Sequence, residues 1–152
     1  MKKVLYLFCA LLVGGLLVGC TAKEKNIEGT LPEIMEKLYD GVPEEQMPMM
    51  VDNIELNGEN FKNYAFADIK YKEAIASEAM TGATPHSVVL IRLEDAKDAE
   101  QAVKDIEENA DPRKWICVEA ENVYVLSKGD LVVLIMSNDL APKIKENFEN
   151  LK

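Results

Sequence analysis

The chain has 152 residues, 48% of them hydrophobic, with 17 Lys or Arg against 27 Asp or Glu and a single His, for a formal net charge of −10. That is one domain's worth of chain. Phosphate binding needs a clustered basic face, and the lysines here are scattered, which argues against nucleic acid as a partner and against strong peripheral attraction to anionic lipid.

Met1-Lys2-Lys3 precedes Val4 to Val18, an unbroken run of 15 uncharged and mostly apolar residues. This is the charged n-region and apolar h-region of a secretory signal. The run ends Leu17-Val18-Gly19-Cys20, which resembles the lipobox of a bacterial lipoprotein signal, and a polar Thr21-Ala22-Lys23-Glu24-Lys25-Asn26 follows. The resemblance implies processing around Leu17, Val18 and Gly19 and a lipid on the Cys20 thiol. Residues 1–19 are then a signal peptide, 20–29 a polar tether and 30–152 a single domain facing outward from the membrane. The alternative is an uncleaved span, since Val4 to Ala22 is 19 residues without charge and a span needs about 20. Gly14, Gly15, Gly19 and Cys20 suit a processing site better. Without its two leader lysines the chain keeps 15 bases against 27 acids, a net of −12 over 133 residues. That length buries a core without disulfides or metals. Cys9 leaves with the leader and Cys20 is taken by the lipid, so Cys117 has no intramolecular partner.

Along the domain, Thr30-Leu31-Pro32-Glu33 has the spacing of a capping box, and Ile34, Met35, Leu38 and Tyr39 form one apolar stripe that Asp40-Gly41 ends. Val42 to Asp68 carries Pro43, Pro48 and Gly58 and reads mostly as loop, with a short strand near Val51 to Leu56. Lys72 to Met80, stopped by Thr81-Gly82 and followed by the apolar run Ser87 to Leu93, reads as a hairpin. A helix is expected from Ala96 to Ala110 with Ala99, Val103 and Ile106 inward and Asp95 as its cap. Asn122 to Ser127, the turn Lys128-Gly129-Asp130 and Val132-Val133-Leu134-Ile135 form a second hairpin. A helix from Asp139 to Leu151 then turns Leu140, Ile144, Phe148 and Leu151 inward.

Val88-Val89-Leu90-Ile91 recurs as Val132-Val133-Leu134-Ile135, and each copy sits in the order strand, strand, helix. These readings predict an α+β fold: an antiparallel sheet of about four strands, a duplicated strand-strand-helix unit with helices on one face, and an N-terminal helix.

Few residues carry chemistry. His86 is the sole histidine, and a catalytic reading pairs it with Ser87 or Cys117 as nucleophile. No nucleophile-elbow or cysteine-protease context surrounds these residues, so a polar residue at the mouth of a strand is the preferred reading. In Trp115-Ile116-Cys117-Val118 strand alternation predicts two apolar faces, with Trp115 in the core and Cys117 buried, its thiol pKa raised. Met47, Met49 and Met50 are thioethers that suit Cu(I), but no histidine or cysteine is near them in sequence. Asp105, Glu107, Glu108 and Asp111, and the stretch Asp52 to Tyr64, lack calcium-loop spacing. No zinc pair or phosphate loop occurs, and no cofactor is expected.

With its lipobox, Asp111-Pro112-Arg113-Lys114-Trp115-Ile116-Cys117-Val118, His86-Ser87-Val88-Val89-Leu90 and Ile135-Met136-Ser137, the chain resembles a family of small clostridial lipoproteins carrying a domain of unknown function. That resemblance implies Cys20 as a functional position and no catalytic residue. The expectation is a lipid-anchored, non-catalytic binding or assembly module at the outer face of the cytoplasmic membrane, meeting a protein or small-molecule ligand. An envelope hydrolase or a copper carrier is the alternative. A two-lobed capture protein would need a second domain, for which the chain has no room.

Overall fold

Thr30 and Glu33 form the capping box that their spacing predicts, Thr30 N donating to Glu33 Oε2 at 2.9 Å and Glu33 N to Thr30 Oγ1 at 3.4 Å. They open α1 (Leu31–Leu38) in a computed structural model that describes residues 25–152. The signal peptide expected from the sequence, with Leu17, Val18, Gly19 and Cys20, and the first part of the expected tether lie outside the described residues. After α1 come β1 (Val51–Glu55), α2 (Phe61–Ala65), β2 (Tyr71–Ala79), β3 (His86–Leu93), α3 (Ala99–Asn109), β4 (Asn122–Lys128), β5 (Leu131–Ser137) and α4 (Ala141–Glu149). Single 3₁₀ turns occupy Glu44–Gln46 and Ala96–Asp98.

The strands form one antiparallel sheet in the order β1-β2-β3-β5-β4. The α+β class and both hairpins are as the sequence predicts, with the Val51 strand added as a fifth at the edge. The helices, however, do not share a face. β3 and β4 both run antiparallel to β5 and therefore parallel to each other, so their connection must cross the sheet, and it carries α3 over one face. The opposite face is left to α1 and α4.

Two cores result. Val89, Ile91, Val132, Leu134 and Met136 pack with Ile106 of α3. Val88, Leu90, Leu131, Val133 and Ile135 pack with Ile34, Leu38, Ile144 and Phe148 of α1 and α4. Every residue of β3 and of β5 is buried. Fully burying such an aliphatic side chain contributes roughly 1.5–3 kcal/mol, so the central pair supplies the largest apolar share of both layers.

The expected duplication fails the same test. A two-fold axis relating neighbouring antiparallel strands stands perpendicular to their sheet and keeps each residue on its face. Val88 and Leu90 face α1 and α4, whereas Val132 and Leu134, their counterparts by sequence, face α3. The recurrent tetrapeptide is two solutions to one burial problem, not a structural repeat.

Arg92 ties the N-terminal segment to the sheet. Its guanidinium donates to Asp130 Oδ2 at 3.0 Å, to Glu73 Oε1 at 2.8 Å, and to the carbonyls of Ile27 at 2.9 Å and Gly29 at 2.7 Å. Ile27 is buried in the α1/α4 core, so the domain begins at or before Ile27, and the tether predicted through Gly29 is shorter. Gly129, at φ +57°, lets Lys25 and Asn26 pass closely: a Cβ there would lie 2.7 Å from the Lys25 carbonyl oxygen. Arg92→Ala leaves Asp130 buried without its partner, and breaking such a pair costs about 3–5 kcal/mol. The expected outcome is a lower urea midpoint with unchanged slope and faster tryptic cleavage after Lys25; an unchanged midpoint would show that Arg92 is dispensable.

Candidate functional site

β3 begins with two consecutive polar residues, and because strand neighbours point to opposite faces, each anchors a separate cluster at the same end of the sheet. His86 enters the α1/α4 face. Its Nε2 lies 2.8 Å from Tyr39 Oη, its Nδ1 lies 3.0 Å from Ser137 Oγ, and Tyr39 Oη is 2.9 Å from Ser77 Oγ. We assign the Nε2–H tautomer, which satisfies every contact: Nε2–H donates to Tyr39, Tyr39 donates to Ser77, and Ser137 donates to Nδ1. His86, Ser77 and Ser137 are buried. Burial pushes the His86 pKa down to about 4. The Tyr39 pKa rises to about 12, chiefly through burial and further through the charge of Glu78, against the lowering effect of its bond to Ser77.

This chain of hydrogen bonds joins the C-terminal end of α1 to β2, β3 and β5. The sequence pattern paired His86 with Ser87 or Cys117; the fold turns Ser87 to the other face and sets Cys117 in an exposed loop. Ser137 does touch the imidazole, yet both are closed to solvent and the third contact is a tyrosine, not a carboxylate.

Ser87 enters the α3 face. Lys114 Nζ lies 2.9 Å from Glu78 Oε2 and 3.3 Å from Ser87 Oγ, and Glu78 and Ser87 are cross-strand neighbours. Three rings surround the ammonium, with centroids at 4.9 Å (Tyr64), 5.4 Å (Trp115) and 5.9 Å (Phe66). Lys114 and Glu78 side chains are only 16% and 10% exposed. Burial, then the Glu78 charge, hold the Tyr64 hydroxyl above its ordinary pKa. Phe66 sits at φ +60°, a left-handed conformation unusual for a bulky residue, as the C-cap of α2. The Trp115 Nε1–H is buried and is the one side-chain N or O among the described buried groups that has no partner.

The segment from Asp111 to Glu121 that delivers Lys114 and Trp115 is irregular. Trp115 is in the core, as expected, but the strand expected over Trp115 to Val118 does not form. Asp111 instead begins a turn, its Oδ1 accepting from Arg113 N and its carbonyl from Lys114 N. Cys117 is consequently exposed rather than buried, and Ile116 is 100% exposed. A cavity of about 260 Å³ lies beside the loop, lined by Arg113, Trp115, Ile116, Cys117, Val118 and Glu119.

The methionine run divides. Met47 packs against the α1/α4 core, whereas Met49 and Met50 are exposed beside Met80, whose N–H donates to the Met50 carbonyl. No group of three or more His, Cys, Asp or Glu placed to hold a metal ion occurs among the described residues, and no helix among them is long and apolar enough to cross a membrane. No protein-family model, curated protein or solved structure matches the chain.

Glu78 and Lys114 escaped sequence reading, although one signal was present. Ala74-Ile75-Ala76-Ser77-Glu78-Ala79 places a carboxylate in an otherwise small and apolar strand, where it requires a cationic partner.

The low His86 pKa fixes a sign for stability. The unfolded ring takes up a proton near pH 6.5 and the folded ring only near 4, so His86 contributes stability above 6.5 that is lost as pH falls toward 4. The full span amounts to about 3 kcal/mol. His86→Gln is expected to flatten that part of the stability profile in urea titrations at pH 7, 5.5 and 4.5. An unchanged slope would assign the acid sensitivity to other groups.

Proposed function

We propose that this protein is a lipid-anchored, non-catalytic binding module that presents one end of its sheet away from the outer face of the cytoplasmic membrane. The observation that carries this reading is the polarity of the sheet. Ile27 and Gly29 are held at the Arg92 end of β3, while the Lys114 and Trp115 loop lies at the His86 end. Six residues of strand separate the two ends, about 20 Å at ~3.3 Å per residue.

A lipid on Cys20 would lie five residues before Lys25, and five residues reach at most about 18 Å. The Arg92 end would then face the bilayer, and the His86 end would face outward with the exposed Ile116, Met49, Met50 and Met80. The resemblance of Leu17-Val18-Gly19-Cys20 to a lipobox supports the anchor, as does the resemblance of most of the mature chain, from about Leu31 to Ser137, to small clostridial lipoproteins. The buried state of His86 and Ser137 supports the non-catalytic reading over an envelope hydrolase. The separation of Met47 from Met49 and Met50 weighs against copper carriage.

Two measurements test the reading. Cys20→Ala is expected to abolish metabolic palmitate labelling and release the protein from the membrane fraction; retention of label would overturn the anchor. The chain from Lys23 onward contains both cores complete, and a thermal-shift screen of it against amino acids, sugars, nucleotides, organic cations and wall fragments is expected to give at least one ligand that raises Tm.

A further inference from the structure

Lys114 occupies an enclosure whose chemistry suits a cation from outside. The enclosure offers one carboxylate, one hydroxyl and three ring faces, from Glu78, Ser87, Tyr64, Phe66 and Trp115. A primary ammonium has three N–H donors and finds only two oxygens here, leaving a third donor against ring faces. An alkylated ammonium carries few or no donors and spreads its charge over methyl groups, which ring faces attract well.

The resident lysine is also replaceable. It arrives on a loop, not on a strand or helix, and a buried ion pair gains little net stability because desolvating both charges offsets most of their attraction. An incoming cation of the same charge keeps Glu78 paired, while the released Lys114 regains its hydration. The loop itself is held by Trp115, Val118 and Ala120 in the α3 core and by Ala120 N donating to the Pro112 carbonyl at 2.9 Å, so only the long Lys114 side chain, already 16% exposed, has to leave. The net charge of −10 favours the approach of cations.

We propose that Lys114 is a built-in placeholder in a receptor for an alkylated ammonium group, which enters between Tyr64, Phe66 and Trp115 against Glu78 as the Lys114 side chain swings out into solvent. The inference rests on reading the His86 end as the binding end and names the ligand class for it.

Trp115 is the only tryptophan of the chain, so its emission reports directly on the enclosure. The full chain, purified in dodecyl maltoside, is titrated at constant ionic strength with choline, phosphocholine and 3,3-dimethylbutanol, the last being the uncharged isostere of choline. Lys114→Gln is expected to bind choline saturably and roughly tenfold more tightly than the wild type, with no response to the isostere. Glu78→Gln in the same background is expected to remove that gain. A stronger response to phosphocholine points to a headgroup-bearing surface as the source, and a stronger response to choline to a free solute; either supports the receptor.

Absence of a saturable change in folded Lys114→Gln protein, or an equal response to the isostere, overturns it. If that variant does not fold, the wild type carries the test: choline must raise the acetylation rate of Lys114 measured by peptide mapping, and an unchanged rate overturns the proposal. A ligand from the thermal screen that raises Tm without moving Trp115 emission defeats the ammonium receptor while leaving the binding module in place. Silence in both assays defeats both.

Discussion

The burial of the β3–β5 pair on both faces governs the rest of this molecule. Alternate residues of each strand supply two separate cores, and neither core can be left open to water without exposing a row of Val, Leu and Ile. Helical cover is therefore needed on both sides: α3 crosses one face because it must carry the chain from β3 over β5 to β4, and α1 with α4 closes the other. A sheet used in this way has no solvated face on which to build a broad ligand surface. Chemistry is confined to the strand ends and the loops around them.

Both ends of the central strands carry polar groups within the layers, and each group is matched. At one end Arg92 bridges Asp130, Glu73 and two carbonyls of the N-terminal segment. At the other, neutral His86 with three hydroxyls seals the α1/α4 layer, and the Glu78–Lys114 pair seals the α3 layer. The two seals at the His86 end differ in kind. The imidazole chain is formed by residues of regular elements or immediately adjoining them, so displacing it would disturb the sheet. The ion pair depends on one long side chain that is already partly exposed, and that side chain can leave without moving the sheet or the core.

The same asymmetry gives the domain a direction. The segment leading toward the N-terminus is fastened where Gly129 allows the backbone of Lys25 and Asn26 to pass, and Arg92 holds the carbonyls of Ile27 and Gly29 just beyond. The loop with Trp115, the exposed Ile116 and the free thiol of Cys117 lies at the far end of the strands. The exposed side chains of Ile116, Met49, Met50 and Met80 are thus concentrated at the end of the sheet opposite the one where the N-terminal segment is fastened.

The elements that depend on local pattern were readable in the sequence. The capping box of α1, the glycine turn of the β4–β5 hairpin, the apolar runs of β3 and β5 and the inward stripe Leu140, Ile144, Phe148 and Leu151 all derive from spacing and turn chemistry, and together they determine the α+β class. The proposed leader and its cysteine likewise rest on sequence pattern. What only tertiary structure decided is which face each element covers and which distant residues meet. An apolar run buried on both sides carries no alternation to mark two cores, so the placement of α3 opposite α4 had no local signal. Trp115 to Val118 has the composition of a strand, but Asp111 turns the chain and the sheet edge is not extended there, leaving Cys117 in solvent. The pairing of Lys114 with Glu78, 36 residues apart, and of His86 with Tyr39 and Ser137, 47 and 51 residues away, arises from strand register and crossover geometry. Sequence by itself therefore determined the secondary elements and the fold class, because hydrogen-bonding period and turn conformation are local. The enclosure around Lys114 belongs to the tertiary structure, because it exists only where α2, β2, β3 and the Lys114 loop converge.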